Sequence, residues 1–200
     1  MTKISALFAL SVLSVSSVIT YSQPAVAAES SVAKLNLSLL LNSLHDVKTL
    51  DLINWKIGDT MNMDLSMDFL GKVGTMVKSV PKEEGAAVWM KQDIQMQGQN
   101  QTVEALINRA DGKILKLIQN GKEAQIPNDP PEIISQDYTE ITVPAGKFKT
   151  LHVVVKTKQV SKIELWANPV DTCMDGAVKE IVPAVFGNLT MVLTAFHKMP

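Results

Sequence analysis

Apolar and polar residues alternate most regularly between Thr60 and Phe69. Apolar side chains stand at the odd-numbered positions from Met61 onward, and polar side chains stand between them. A period of two over ten residues predicts a β-strand with one buried and one solvent-facing side. Phe69 is expected on the buried side with the other odd-numbered residues.

Shorter stretches of the same alternation follow, separated by glycine, proline and other turn residues. Asp111-Gly112 and Asn120-Gly121 are signals for two-residue hairpin turns. A strand over 88–96 turns one apolar face inward, interrupted by Gln92. About nine strands at short spacing are expected, which is typical of an antiparallel sheet.

Two segments do not follow this pattern. The leucine-rich run from Ser30 to Leu50 fits a strand or a helix, and we interpret it as an N-terminal helix that covers the sheet. Residues 171–182 are expected to form a short helix or an irregular crossing. The predicted fold is mainly β, with a curved antiparallel sheet that forms an incomplete barrel.

The first 27 residues have the pattern of a signal peptide. Lys3 precedes an apolar run from Ile4 to Ile19, and Ala25-Val26-Ala27 offers a cleavage site. The run is short and rich in serine, so it does not predict a spanning helix. We therefore expect a periplasmic or secreted protein in which residues 28–200 form a single antiparallel β domain without a transmembrane segment.

The charge pattern argues against nucleic acids as partners. The formal net charge is −1, and it becomes −2 when Lys3 is removed, with acidic and basic residues interspersed. Nucleic acids require a concentrated basic surface, which is absent here. We expect a monomer with no nucleic-acid partner and no cofactor.

Four short motifs resemble an uncharacterised family of exported bacterial β-proteins with a VPAGxF turn. They are Trp55–Asp59, Val143–Phe148, Ile163–Trp166 and Val178–Glu180. Such proteins are similar in architecture to the periplasmic lipoprotein carriers of the LolA/LolB type, whose curved sheet surrounds an apolar cavity. The resemblance implies the fold and an apolar or lipid-like small molecule as a partner, but it implies no catalytic residue.

Catalytic chemistry is not indicated. The chain has no G-x-S-x-G elbow, no phosphate-binding glycine loop and no closely spaced set of zinc ligands. His45, His152 and His197 lie on separate elements, and His152 is expected on the face opposite Leu151 and Val153. The single cysteine, Cys173, is interpreted as a buried thiol or as one that pairs with another molecule. We expect a protein that is not an enzyme.

The preferred hypothesis is non-catalytic binding of an apolar or amphiphilic, lipid-like ligand on the concave face of the sheet, or another role in supporting the cell envelope. Methionine suits such a face because its side chain adapts to ligands of different shape. The expected ligand-binding residues are Met61, Met63, Leu65, Met67, Phe69, Val88, Met90, Ile94 and Met96.

Two alternatives stay open. Met61, Met63 and Met67 carry thioethers on one strand face, and soft sulfur ligands select Cu(I) or Ag(I). The same methionines also fit a filled core. In that case the protein is a structural or protein-interaction module.

Overall fold

The computed structural model describes residues 53–96, 98–110, 112–126, 132–157, 160–184 and 187–200. In these ranges the protein is all-β, and no helix is present in them. The strands are β1 (Thr60–Met67), β2 (Gly71–Glu84), β3 (Ala87–Met96), β4 (Gln99–Asn108), β5 (Ile114–Gln119), β6 (Lys122–Glu123), β7 (Glu132–Val143), β8 (Gly146–Lys156), β9 (Ile163–Ala167), β10 (Ala177–Ala184) and β11 (Gly187–His197).

All eleven strands form one antiparallel sheet. Their order is β6-β5-β4-β3-β2-β1-β11-β10-β9-β8-β7, and the two edge strands do not pair with each other. The inward side chains nevertheless form one core that draws on both halves of the sheet, for example Val103 of β4 and Val153 of β8. The predicted antiparallel sheet is therefore confirmed as a single sheet that does not close.

The sheet has two ends, which we call the tip end and the loop end. The tip end carries the tight turns at 68–70 and 120–121, and the loop end carries the β9–β10 connection, residues 168–176. Trp55 and Ile53, which precede β1, are buried in the core. Arg109 donates hydrogen bonds to the backbone oxygens of both residues, at 2.7 Å each.

Two strands of the sheet contain a proline. Pro81 lies in β2, where the register with β3 shifts between Ser79 and Lys82. Such a bulge leaves residues outside the regular ladder, so the missing N–H costs no regular hydrogen bond. Pro183 lies beyond the part of β10 that pairs with β9, which ends at Ile181.

The turn predictions are confirmed in part. Asn120 and Gly121 connect β5 to β6 with positive φ angles of 50° and 77°, as a two-residue hairpin turn requires. The connection from β4 to β5 is longer than the predicted two residues and spans 109–113. The Gly112 N–H still donates to the Asn108 carbonyl, at 2.7 Å.

The two predicted helical segments have different outcomes. Residues 30–50 lie outside the described residues. Residues 168–176 form an irregular loop, and β10 begins at Ala177, so the short helix expected as one option near 171–182 is wrong and the irregular crossing is confirmed. A helix is disfavoured here because Gly176 adopts a φ of 70°.

Among the residues that the structure describes, none belongs to a helix of the length and apolarity that crossing a bilayer requires.

Candidate functional site

Three of the buried charged side chains that the structure describes lie together in the interior of the sheet. Lys78 comes from β2, Asp175 from the loop 168–176 and Glu180 from β10, and all three are buried. Lys78 Nζ lies 2.5 Å from Asp175 Oδ2, while Asp175 Oδ1 accepts a hydrogen bond of 3.2 Å from the Ala177 N–H. We call these three residues the interior charge cluster.

Strand alternation places two members of this cluster. On β2, Lys78 stands between the buried residues Met76 and Val80, and on β10 Glu180 stands between Val178 and Val182. Because side chains two apart on a strand face the same side, both charged groups point into the core. The cross-strand partners of Glu180 are Leu165 of β9 and Met191 of β11.

Asn168 holds the loop that carries Asp175. Its side-chain Nδ2 donates to the Lys149 carbonyl at 2.9 Å, and its Oδ1 accepts hydrogen bonds from the N–H groups of Val170 and Asp171 at 3.1 and 2.9 Å. Its own N–H donates to the Gly176 carbonyl at 2.8 Å. These contacts fix both ends of the loop, so Asp175 is held in place beside Lys78.

Glu180 is the least satisfied member of the cluster. Neither of its carboxyl oxygens has a hydrogen-bond partner among the described residues. Burial raises the pKa of this carboxyl to about 7; the Lys78 cation acts against this shift and the Asp175 carboxylate adds to it. A buried carboxyl without hydrogen bonds is costly to ionise, so Glu180 carries a proton in a large fraction of molecules near neutral pH.

The predicted ligand-binding residues lie almost all on the inner face of the sheet. Met67 and Met96 pack partly buried against the core near the tip end. Six residues are fully buried there: Met61, Met63, Leu65, Val88, Met90 and Ile94.

Phe69 is the exception, and its predicted inward position is wrong. Strand β1 ends at Met67, and Phe69 lies in the β1–β2 turn with 86% of its surface exposed. The alternation in the sequence continued past the point at which the chain turns, because a tight turn can also place polar and apolar residues alternately. Whether the other eight residues bind a ligand stays a prediction.

Three further methionines lie on this inner face, and of these Met76 and Met191 are expected there from the sequence. Met76 is the direct cross-strand partner of Met63, Met191 is the partner of Leu65, and Met174 projects from the loop 168–176. We call the buried residues Met61, Met63, Met76, Met90, Met174 and Met191 the methionine face.

The copper hypothesis also stays a prediction. Met67 lies four residues along β1 from Met63, a distance of roughly 13 Å between Cα atoms. Met61, Met63 and Met67 therefore do not converge on one point. Met63 and its partner Met76 are the thioethers that the register brings together.

Cys173 is buried in the loop 168–176, in agreement with one of its two interpretations. Its Sγ lies 3.4 Å from the Thr60 carbonyl oxygen. Burial, together with the carboxylates of Asp59 and Asp175, raises the pKa of the thiol to about 12. A thiol with this pKa is a poor nucleophile at neutral pH.

His152 lies on the outer face, as its position opposite Leu151 and Val153 predicted. Its Nδ1 is 3.0 Å from Asp137 Oδ1, its Nε2 is 3.2 Å from Glu164 Oε2, and its ring stacks on Trp166 with 4.3 Å between ring centres. A hydrogen bond and charge pairing with Lys162, with a contribution from His152, hold the pKa of Glu164 below its usual value. This arrangement cross-links β7, β8 and β9.

No group of three or more His, Cys, Asp or Glu side chains placed to hold a metal ion occurs within the described ranges.

Sequence reasoning missed the interior charge cluster, although part of it was visible. Lys78 and Glu180 each occupy a position that strand alternation assigns to the buried side. A charged residue in such a position is a signal of a buried polar site. Asp175 carried no such signal, because it lies in a loop without a period.

Comparison with known proteins yields two structural likenesses. No protein-family model matches the chain, and a search among curated proteins finds no significant match. The chain is similar to the structure of a candidate lipoprotein from Parabacteroides distasonis, with 11% identity, a TM-score of 0.38, and 72% of this chain and 96% of that chain covered. It is also similar to a candidate exported protein with a YmcC-like fold from Bacteroides fragilis, with 9% identity, a TM-score of 0.41, and 72% and 97% of the two chains covered. Similarity at this level assigns no family.

Proposed function

We propose that this chain is an exported, non-catalytic protein that binds an amphiphilic, lipid-like ligand against the inner face of its sheet. The signal-peptide pattern of the first 27 residues supports export. The acyl part of the ligand would contact the methionine face, and its polar end would contact the interior charge cluster.

Glu180 is the observation that carries this proposal. A core that served only to stabilise the sheet would gain from an apolar residue at this position, because a buried carboxyl without hydrogen bonds is destabilising. Its two oxygens lack hydrogen-bond donors among the described residues. A hydroxyl or ammonium group on the head of an amphiphile would supply such donors.

The methionine face is the apolar surface that the acyl part of the ligand would contact. Its side chains pack on one another and fill the interior, so an acyl chain would have to displace them. Methionine is unbranched, with three rotatable bonds and a polarisable sulfur, so it rearranges at lower cost than leucine or isoleucine. An inner face of this composition supports binding that proceeds by rotation of side chains.

Organic extraction of the protein purified from exporting cells tests the proposal. Mass spectrometry of the extract is expected to show an acyl-bearing molecule in near-stoichiometric amount with the wild-type chain. Glu180→Gln keeps the shape of the side chain but removes its charge and one acceptor, so it should reduce the retained amount. Glu104→Gln on β4, which faces away from the core, is the matched control. An extract without any amphiphile, together with no binding of an added acyl probe, would overturn the proposal.

The filled interior favours a second candidate, a structural or protein-interaction module. Met61, Met63 and Leu65 are fully buried by protein side chains alone. For such a module, added amphiphiles would leave the midpoint of thermal unfolding unchanged. For a binding protein, they should raise the midpoint in a concentration-dependent way.

A further inference from the structure

The β1–β2 turn presents two large apolar side chains to solvent at the tip end. Phe69 is 86% exposed and its neighbour Leu70 is 58% exposed. Single exposed apolar residues are common on protein surfaces. A phenylalanine and a leucine lie side by side at the apex of this hairpin. Their combined apolar surface is therefore accessible to an apolar surface outside the protein.

The turn is held rigidly. The Leu70 N–H donates to the Met67 carbonyl at 3.1 Å, and Gly71 adopts a φ of 68° as the chain reverses. Asp68 Oδ2 accepts two hydrogen bonds from Asn188 of β11, from the backbone N–H at 2.9 Å and from Nδ2 at 3.0 Å. Phe69 and Leu70 are therefore exposed in a fixed turn that is tied to the neighbouring strand.

The hairpin also extends beyond its neighbour on the other side. Strand β3 ends at Met96, which pairs with Gly74, so β2 continues three residues further to Gly71 before the turn. Val73 is left out of the β1–β2 register, so at about 3.3 Å per residue Gly71 lies roughly 7 Å past the end of the β2–β3 ladder, and the turn follows it. The two apolar side chains lie on this projection.

We propose that the protein docks on a lipid bilayer surface by inserting Phe69 and Leu70 of the β1–β2 turn among the lipids. This inference goes beyond the proposed function and does not depend on a ligand in the interior. It names the surface on which an amphiphile could be collected or delivered.

The exposed area favours lipid over a protein partner. The two side chains offer roughly 250 Å² of apolar surface. A specific protein interface buries about 800 Å² on each partner and needs a complementary shape. A lipid surface needs no complementary shape, and aromatic and aliphatic side chains partition into its interfacial region.

Charges around the tip end indicate which lipids are suitable. Lys72 pairs with Asp64 at 2.8 Å, Lys156 with Glu132 at 3.0 Å, and Lys162 with Glu164 at 2.8 Å. These three lysines are paired with carboxylates, and exposed Lys122 beside the turn 120–121 stands next to Glu123, so the described residues of this end do not form a concentrated basic patch for anionic lipids. We expect docking on zwitterionic vesicles with little dependence on salt.

Sedimentation with phosphatidylcholine vesicles at low and high salt tests this proposal. The exported form is used, after intact-mass measurement has shown that the apolar run from Ile4 to Ile19 is absent. The variant Phe69→Ser/Leu70→Ser is expected to lower the partition coefficient about tenfold or more. The matched control is Ile57→Ser/Val170→Ser, which removes apolar residues of 52% and 56% exposure outside the tip and should bind as the wild type does.

A second variant locates the insertion directly. Phe69→Trp keeps an apolar ring at the apex, and its added fluorescence should be quenched by brominated lipids. The proposal would be overturned if the wild type did not bind vesicles. It would also be overturned if the serine variant bound them as strongly as the wild type. A dimer in solution that the serine variant dissociates would also overturn it, because the turn would then contact a second copy of the chain.

Discussion

Lys78 and Asp175 form a buried ion pair with 2.5 Å between Nζ and Oδ2, although 97 residues separate them in the chain. The pair connects a central strand to the loop 168–176 that crosses the loop end of the sheet. Because this ion pair lies in the interior, it anchors the loop 168–176 to the core.

Removal of one partner of this pair is expected to be costly. Lys78→Met leaves Asp175 as a buried charge without its cation, and the free energy of unfolding should fall by roughly 3–5 kcal/mol. The double variant Lys78→Met/Asp175→Asn should lose less than the sum of the two single variants. Urea denaturation of all four chains measures this coupling, and additive losses would contradict a direct pair.

The Glu180 carboxyl makes stability depend on pH. Its pKa is about 7 in the folded protein and near 4.5 in the unfolded chain, so between these values the folded state binds more protons. The contribution of Glu180 to the free energy of unfolding should therefore be greatest at or below about pH 4.5. It should fall by roughly 3 kcal/mol as pH rises through 7.

Denaturation of Glu180→Gln at pH 5 and at pH 8 measures this contribution. The difference between the two pH values should become smaller by a few kcal/mol in this variant, whereas Glu104→Gln should keep the wild-type difference. An unchanged difference in Glu180→Gln would show that the carboxyl is solvated in the folded protein.

Gly176 should tolerate no side chain. An added Cβ would lie 2.3 Å from the Pro169 nitrogen, in a residue that already has a φ of 70°. Gly121 has a φ of 77°, but an added Cβ would meet nothing within 4 Å. Gly121→Ala should therefore cost only about 1 kcal/mol, and Gly176→Ala should cost clearly more, as thermal unfolding would show. Equal losses would mean that the loop can move away from the added methyl group.

Neighbouring positions on β1 should differ strongly in how much stability the protein loses when each side chain is truncated to alanine. Leu65→Ala opens space in a packed core and should cost roughly 2–5 kcal/mol. Asp64→Ala removes only a surface ion pair with Lys72 and should cost about 0.5 kcal/mol or less. Equal losses in chemical denaturation would contradict the register of this strand.

The Cys173 thiol should be inert in the folded protein. Its pKa of about 12 leaves almost no thiolate at neutral pH, and its burial blocks access. A thiol reagent should modify it only after denaturation, which intact-mass measurement detects. Rapid labelling of the folded chain would instead favour the pairing with another molecule.

The local pattern of the sequence predicted the strands better than the residues at which they end. Alternation correctly placed Met61, Met63 and Leu65 inside because every residue of a strand obeys the same period. The pattern failed at Phe69 because a tight turn can also place polar and apolar residues alternately, so alternation alone does not show where the chain reverses. The interior charge cluster was missed for a different reason, since its contacts join β2 to residues near the other end of the chain.

The order of the strands has a consequence for how this protein folds. The first and last strands of the sheet, β1 and β11, pair with each other at its centre. The two meanders β1–β6 and β7–β11 can each form from local hairpins, but β1 keeps one free edge until β11 has left the ribosome or the translocation channel. Contacts of such high sequence separation slow folding, and an unpaired central strand can associate with other chains. The emergence of β11 thus determines how long the free edge of β1 is exposed to aggregation.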